Sequence, residues 1–234
     1  MIKRLAVIPA RKNSKRIKNK NIYNFYGKPV ISYALDTAKK SKLFDNIHVS
    51  TNCEKTINIT KKLGFPIHFK RPNSLSDDKT GLIEVLYYVI ENYKKLGLNY
   101  DVVTLIFPWS PLINTLDLKK ANKVFEKNKK KNPVISISSF PVPLEWAMEK
   151  KGKFLKSVFP DKAIVRSQAL STKYFDTADF VFYSPEHIRK FAKSKKINFS
   201  QFIGYEIDNV RSVDVDEMSD VNLVKKLFLL SKKK

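Results

Sequence analysis

Short apolar runs alternate with amphipathic stretches along most of the chain, and this alternation is the feature that most constrains the fold. The first run, residues 5–9 (LAVIP), has no polar residue, which predicts a strand buried on both faces. Residues 29–40 then begin with a proline and carry apolar residues at helical spacing, as an early helix does. A repeated β-α order of this kind predicts a parallel sheet with right-handed crossovers.

The other predicted elements continue the same alternation. Strands are predicted at residues 46–51, 66–70, 102–107, 134–138, 179–183 and about 205–207. Helices are predicted at residues 54–63, 80–96, 116–128, 185–193 and about 217–230. Residues 141–171 (the excursion) show no clear period, so we expect them to build a lid or an oligomer contact. We expect one α/β domain over residues 1–234, with a mostly parallel sheet.

The chain is strongly basic, with 45 Lys and Arg against 22 Asp and Glu and a formal net charge of +23. Such a balance fits a nucleic-acid-binding protein. The cations are spread through the whole chain, however, and arginine, the usual reader of base edges, is scarce. We therefore expect that nucleic-acid binding is not the main function, and a basic nucleic-acid-binding protein stays as the alternative from another class.

The composition also bears on the compartment. Hydrophobic residues make up 43% and charged residues 29%, which is typical of a globular protein. No apolar run approaches the roughly 20 residues that span a bilayer, and the apolar stretch near the start is too short for a signal peptide. Cys53 is the one cysteine and cannot form an internal disulfide, as expected in a reducing compartment. We expect a cytoplasmic protein without a membrane partner.

A cationic loop, PARKNSKRIKNKN, follows the first predicted strand. It has neither the GxGxxG pattern of dinucleotide folds nor the GxxxxGK[ST] pattern of P-loops. Its small polar side chains and backbone N–H groups can still wrap a polyphosphate while the cations offset its charge. Ligands of open α/β sheets bind beyond the carboxyl ends of the strands, which is where this loop should lie. A solvated basic loop fits the same residues.

A pair of carboxylates stands near the end of the chain, where Asp214 and Asp216 alternate with valines in SVDVDEMSD. In an extended segment, residues i and i+2 point to the same face. Two adjacent carboxylates repel each other, and a hard divalent cation such as Mg²⁺ relieves that repulsion. The alternative is that Asp216 caps the last helix, with Glu217 in its first turn.

Two further polar loops carry candidate ligand contacts. In RPNSLSDDKT, Asp77 or Asp78 can cap the helix that begins at Thr80, whereas Arg71 has no local role and is a candidate base or sugar contact. In RSQALSTKYFDTADF, the Arg166 guanidinium suits a carboxylate or phosphate, which it can bind with two parallel hydrogen bonds.

These four stretches, in this order, resemble the cytidylyltransferases that activate nine-carbon keto-sugar acids, a family that includes the sialic, legionaminic and pseudaminic acid enzymes. The resemblance runs roughly from residue 5 to residue 227. Phe107 and Trp109 stand where sialic acid enzymes usually carry Gln and Thr, and the R-S-Q stretch followed by Y-x-D looks closer to the pseudaminic acid branch. An apolar Phe107 also suits a less hydroxylated sugar, since a site built to bind a hydroxyl rejects a substrate that lacks it.

The resemblance implies a nucleotidyltransferase-type, Rossmann-like, three-layer α/β/α domain that transfers CMP from CTP to pseudaminic acid and releases pyrophosphate. Legionaminic or sialic acid is the alternative substrate, Mg²⁺ is the implied cofactor, and a homodimer formed through the excursion is expected. The implied catalytic residues are Lys20, Asp214 and Asp216, of which the two carboxylates bind the metal. The implied nucleotide-binding residues are Arg11, Ser14, Lys15, Asn21, Arg71, Asp78 and Thr80. The implied sugar-binding residues are Phe107, Arg166, Gln168 and Asp176.

Overall fold

The structure is a computed structural model that describes residues 2–12, 14 and 16–232. Within these residues the strands are β1 (Arg4–Pro9), β2 (Asn24–Phe25), β3 (Lys28–Pro29), β4 (Asn46–Ser50), β5 (Val102–Ile106), β6 (Val134–Ser139), β7 (Met148–Lys151), β8 (Phe154–Ser157), β9 (Tyr174–Tyr183) and β10 (Ile203–Glu206). The α-helices are α1 (Ile31–Ser41), α2 (Glu54–Lys62), α3 (Leu82–Lys95), α4 (Thr115–Lys127), α5 (Pro185–Ser194) and α6 (Met218–Ser231). None of the described helices is both long and apolar enough to cross a membrane.

Six strands form the central sheet, in the order β10-β6-β9-β5-β1-β4. Strand β1 pairs in parallel with β4, where Leu5 lies opposite Asn46, and with β5, where Arg4 lies opposite Val102. Strand β10 is also parallel to β6, whereas β9 runs antiparallel to both β5 and β6. Five of the six strands therefore point the same way, which confirms the predicted mostly parallel sheet.

Helices cover both faces of this sheet. On one face, α1 and α4 contribute fully buried residues such as Leu35 and Leu118 to a core that includes Phe180 of β9. On the other face, α3 and α5 pack against each other and bury Leu86 and Ile188. The sheet is thus the middle of three layers, because its parallel strands carry apolar side chains on both faces. The predicted three-layer α/β/α arrangement is confirmed.

A smaller apolar cluster fixes the last helix beside the sheet. Phe228 of α6 makes edge contacts with Phe25 and Tyr33, and its ring stacks on Tyr26 with centroids 5.7 Å apart. Val215, just before α6, is buried in the same cluster. The carboxylate pair that precedes α6 is therefore attached to the core from its C-terminal side.

Two predicted strands differ from the structure. Residues 66–70 are not a strand, because this segment turns and packs Phe69 against His48 and Tyr93 instead of pairing with the sheet. The strand predicted at 179–183 begins earlier, at Tyr174. The aperiodic excursion contains the antiparallel hairpin β7–β8, which the sequence did not indicate.

Strand β9 is interrupted where it crosses the ligand-binding edge of the sheet. Ile135 of β6 lies opposite Val181, whereas Ile137, only two residues later, lies opposite Asp176. The extra β9 residues form a bulge, within which Ala178 adopts the left-handed region with φ of 52°. A bulge of this kind redirects side chains next to a binding site, and here it brings Ala178 to a cavity wall.

Candidate functional site

A cavity of about 460 Å³ lies beyond the carboxyl ends of the parallel strands. Strand β1 leads directly into it, and the loops after residue 70 and after β5 complete the wall, as the topology of an open α/β sheet requires. The predicted site residues that line it are Arg11, Ser14, Lys20, Asn21, Arg71, Asp78, Thr80, Phe107, Asp214 and Asp216. Lys15 lies outside the described residues.

The cationic loop after β1 is attached to the rest of the site by its own backbone. The Asn21 side chain donates a hydrogen bond to the Arg11 carbonyl over 3.1 Å. The Trp109 indole donates to the Lys20 carbonyl over 2.7 Å, and Ile17 is buried in the cluster that contains Trp109. The loop is therefore not merely solvated surface, since its two ends and its middle are each held in place.

Arg11 links this loop to the polar loop that precedes α3. Its guanidinium donates to the Asp77 carbonyl over 2.7 Å and forms an ion pair with Asp78 at 2.6 Å. The Asp77 carboxylate in turn accepts from the Thr80 N–H and hydroxyl, both at 2.7 Å, and these bonds, the hydroxyl's above all, hold its pKa below the usual value. The sequence predicted that Asp77 or Asp78 caps this helix, and that prediction is wrong. Helix α3 begins two residues beyond Thr80, with Gly81 at the N-cap position.

Arg71 is buried at the base of the cavity, with only 4% of the residue exposed. Its guanidinium donates to the Ser50 hydroxyl over 3.1 Å and to the Ser50 carbonyl. Burial, followed by the nearby Arg11 charge, lowers the pKa of Arg71 to about 10. The group stays charged at neutral pH, so a buried cation is available to a ligand in the cavity.

Asp214 and Asp216 also line the cavity, and Val215 between them is buried as the alternation predicted. The Asp216 carboxylate lies 2.7 Å from the Arg16 guanidinium and 3.7 Å from the Lys20 ammonium. Partial burial, and then the like charge of Asp216, raise the pKa of Asp214. The two carboxylates are thus close enough to interact.

Asp216 is not the cap of the last helix, contrary to the alternative drawn from the sequence. Glu217 occupies the N-cap position of α6. Asp220 closes the turn instead, because its carboxylate accepts from the N–H groups of Asp216 at 2.8 Å and Glu217 at 2.7 Å. The Asp216 side chain is therefore left to the cavity.

The donor set of this wall fits a hard divalent cation. Carboxylate oxygens are the protein ligands that Mg²⁺ prefers, and Mg²⁺ is commonly held by one or two carboxylates, with water and substrate phosphates as its other ligands. The repulsion between Asp214 and Asp216 is what such a cation relieves. Among the described residues, no cluster of three or more His, Cys, Asp and Glu is arranged to hold a metal, so a cation here would need ligands besides these two carboxylates.

The predicted sugar-binding residues fall into two places. Phe107 lines the cavity, and Asp176 lies close enough to Asp214 for its pKa to be raised by that carboxylate, after the larger effect of burial. Arg166 and Gln168 are exposed on the excursion and line a separate cavity of about 330 Å³ with Trp146. The structure does not bring these two residues to the main cavity.

Two residues of the site were not assigned from the sequence. Arg16 was one of many cations in its loop, and its pairing with Asp216 spans 200 positions, which no local pattern reveals. Trp109 was read only as a departure from a family pattern, whereas its indole holds the Lys20 carbonyl. The one feature of the sequence that could have indicated this role is the unusual position of an aromatic residue, Trp109, between two prolines.

The comparison with known proteins decides the family. A family model described as "Cytidylyltransferase" matches residues 5–151, which is more than half of the chain. The chain belongs to the cytidylyltransferase family. The resemblance inferred from the four polar stretches is thereby confirmed.

Two curated relatives of the family carry the same name, "Pseudaminic acid cytidylyltransferase". The chain is 31% identical over 228 residues to the protein of Campylobacter jejuni subsp. jejuni serotype O:23/36 (strain 81-176), covering 97% of each chain. It is 35% identical over 182 residues to the protein of C. jejuni serotype O:2, covering 77% of this chain and 78% of that one.

A solved structure of a synthetase for CMP:2-keto-3-deoxy-manno-octonic acid, complexed with CTP, has the same fold. Its TM-score is 0.73, and the match covers 99% of this chain and 100% of that chain, at 13% sequence identity. This likeness confirms the nucleotidyltransferase-type fold that the sequence implied.

Proposed function

We propose that this chain transfers CMP from CTP to the anomeric hydroxyl of pseudaminic acid, giving the CMP-sugar and pyrophosphate. The observation that carries the proposal is the cavity itself, where a cationic loop, a buried arginine and a pair of carboxylates face one another. The choice of sugar is supported by the 31% identity along 97% of both chains to a relative named for that substrate. The cytoplasm, where CTP is made, is the proposed compartment, and the buried free thiol of Cys53 is consistent with it.

In this proposal the cationic side of the cavity binds the nucleotide. Arg11 and Lys20 offset the charge of the triphosphate and of the departing pyrophosphate, which is the main task of a phosphoryl-transfer site. Ser14 and Lys15 belong to the same phosphate-binding loop. Asn21, Arg71, Asp78 and Thr80 hold the cytidine end, where the buried Arg71 guanidinium and the rigid turn at Thr80 give fixed donors.

Asp214 and Asp216 hold Mg²⁺ in the proposal. When bound, the cation supplies Lewis-acid stabilisation of phosphate charge and lowers the pKa of a coordinated hydroxyl. Arg16 and Lys20 pair with Asp216 in the protein alone, so the carboxylate is already charge-compensated. No histidine lies among the residues of the cavity wall, and the chain's own contribution is to orient the two substrates in line.

The sugar end is formed by Phe107 and Asp176 of the same chain. We further propose that the chain forms a homodimer through the excursion, because this region exposes large apolar side chains. Phe154 is 69% exposed, Leu155 66% and Ile164 95%. In such a dimer Arg166 and Gln168 would contribute to the sugar site of the second copy, since they do not line the main cavity of their own chain.

The test is pyrophosphate release from CTP and Mg²⁺ with pseudaminic, legionaminic and sialic acids supplied one at a time. We expect release with pseudaminic acid at a kcat/KM well above that of the other two. Asp216→Asn should lower the rate about 100-fold or more, because it removes a charged ligand of the metal. Glu206→Gln, which changes an exposed carboxylate on the edge strand, is the matched control.

Three outcomes would contradict the proposal. Faster turnover of legionaminic or sialic acid would reassign the sugar and keep the reaction class. Full activity in Asp216→Asn would remove the metal assignment. If no acid supported release and the protein bound random DNA at moderate salt, the basic charge would indicate nucleic-acid binding instead.

A further inference from the structure

Arg211 lies three residues before the Asp214 and Asp216 pair and makes a two-pronged contact with α4. Its Nη1 and Nη2 donate to the two carboxylate oxygens of Asp117 over 2.7 and 3.0 Å. Nη1 also lies 3.4 Å from the Leu112 carbonyl, in the loop that carries Trp109. A planar, bidentate contact fixes direction as well as distance. Arg211 therefore joins the segment that carries the carboxylates to the start of α4 and to the loop that carries Trp109.

Asp117 is a rigid anchor for this contact. It occupies the third position of α4, where its carboxylate also accepts from the Asn114 N–H over 2.8 Å and completes a capping box. Only 7% of the Asp117 side chain is exposed. The helix behind it is buried in the core through Leu118 and Phe125. A group attached to Asp117 thus moves only if the start of α4 moves.

The segment that carries the carboxylates has few other attachments. Among the described residues, no backbone hydrogen bond reaches Val213, Asp214 or Val215. On the N-terminal side, Asn209 is held by the Ser138 hydroxyl and by Ser139 at 3.2 Å. On the C-terminal side, Val215 is buried. Between these two points, Arg211 alone among the described residues reaches another element through side-chain hydrogen bonds, whereas Asp216 itself forms ion pairs with Arg16 and Lys20.

A second buried carboxyl group lies within reach of the Arg211 charge. Asp179, in the β9 bulge, is 5% exposed, and its Oδ2 has no hydrogen-bond partner among the described residues. Burial raises the pKa of Asp179, hydrogen bonds with Thr177 and Ser110 lower it, and the smaller effects of the Asp117 and Arg211 charges raise and lower it respectively. Removing Arg211 would leave the buried Asp117 carboxylate without its cation, which is costly.

We propose that Arg211, anchored by Asp117, is a positioning residue that fixes the Asp214 and Asp216 carboxylates for cation binding. The inference rests on the metal role assigned to these carboxylates under the proposed function. Residues that orient ligand carboxylates change metal affinity by about 10- to 100-fold when they are replaced. If the Arg211–Asp117 pair only stabilised the fold, replacing Arg211 would lower stability without selectively weakening metal affinity.

The experiment measures Mn²⁺ binding to the protein–CTP complex, without sugar acid, by water-proton relaxation. Arg211→Gln should weaken Mn²⁺ affinity about tenfold. CTP affinity in EDTA, measured by calorimetry, should stay within about twofold, because Arg211 is not among the residues that line the cavity. Asp117→Asn, which keeps an oxygen for the Asn114 N–H, should give the same loss, and the double variant no further loss.

The Arg4–Glu126 ion pair is the matched control, since it holds the other end of the same helix, far from the cavity. Arg4→Gln should lower the unfolding midpoint and leave Mn²⁺ affinity unchanged. If Arg211→Gln fails to fold, Arg211→Lys is the second variant. It keeps the charge but cannot make the two-pronged contact with Asp117, so it should give a smaller loss of Mn²⁺ affinity. Unchanged Mn²⁺ affinity in a folded Arg211 variant would overturn the inference. Absence of Mn²⁺ binding in the unaltered protein–CTP complex would instead overturn the proposed metal role.

Discussion

The carboxyl group of Asp179 lies inside the protein at the β9 bulge, and burial raises its pKa from 3.8 to about 7. An acid with a raised pKa in the folded state keeps its proton while the unfolded chain releases it. Stability should therefore fall as the pH rises from about 4 to about 7 and change no further above that range. A rise in pKa of this size corresponds to a loss on the order of 4 kcal/mol in the free energy of unfolding.

Asp179→Asn should remove this dependence, because an amide does not titrate. Relative to the unaltered protein, the variant should gain free energy of unfolding steadily between pH 5 and pH 7. Urea unfolding at four pH values checks the prediction, with the exposed Asp161→Asn as control. Parallel pH profiles for Asp179→Asn and the unaltered protein would show that the carboxyl group is not the cause.

Single residues were predictable from the sequence when their role depended on neighbours in the chain. Val215 was predicted to be buried between two carboxylates, and it is. Long-range partners were not predictable: Arg16 meets Asp216, and Arg211 meets Asp117 across 94 positions. Both pairs form because strands β1, β5 and β10, which these residues follow in the chain, end at the same edge of the sheet.

Helix α4 illustrates how a single element is fixed at its start. The Asn114 side chain accepts from the N–H groups of Leu116 at 2.8 Å and Asp117 at 3.1 Å. Asn114→Ala should lower the free energy of unfolding by about 1 kcal/mol, which is typical of a lost N-cap. Urea denaturation measures the change, and Asn128→Ala at the C-cap is the comparison. An equal loss of free energy of unfolding in both variants would mean that the capping box adds no stability beyond that of an ordinary helix-end residue.

Helices were the elements that the sequence predicted best, since an amphipathic period extends over many residues. Helix α3 was expected at 80–96 and lies at Leu82–Lys95. The wrong predictions concern short sequence patterns that are compatible with two different local structures. Residues 66–70 have the apolar content of a strand but pack Phe69 on aromatic rings, and Asp77 stabilises a turn where a helix cap was expected.

At the scale of the whole molecule, the exposed apolar hairpin β7–β8 predicts association. Phe154→Asp should convert a homodimer into a monomer, because burying an unpaired charge at an interface is costly. Light scattering after size-exclusion chromatography gives the mass of each form. Lys153→Glu, on the same hairpin, alters the charge without removing apolar surface and should leave the mass unchanged. A monomeric unaltered protein at micromolar concentration would contradict the dimer proposal.

The overall architecture was predictable because alternating β and α patterns allow few topologies. The antiparallel direction of β9 was not predictable, since the apolar sequence pattern of a strand does not depend on the direction in which the strand runs. The parallel strands also made it predictable that the polar loops meet at one edge of the sheet. The positions of Arg166 and Gln168 were not predictable, because the excursion has no hydrophobic period that indicates its structure.

The reversed direction of β9 has a consequence for how such a protein can change over evolutionary time. The excursion leaves the sheet where β6 ends and returns where β9 begins, and because the two strands are antiparallel, both stems lie at the ligand-binding edge. Residues can therefore be added to or deleted from the excursion without disturbing the register of any strand. A new sugar specificity or a new subunit contact could arise there by a change in length alone.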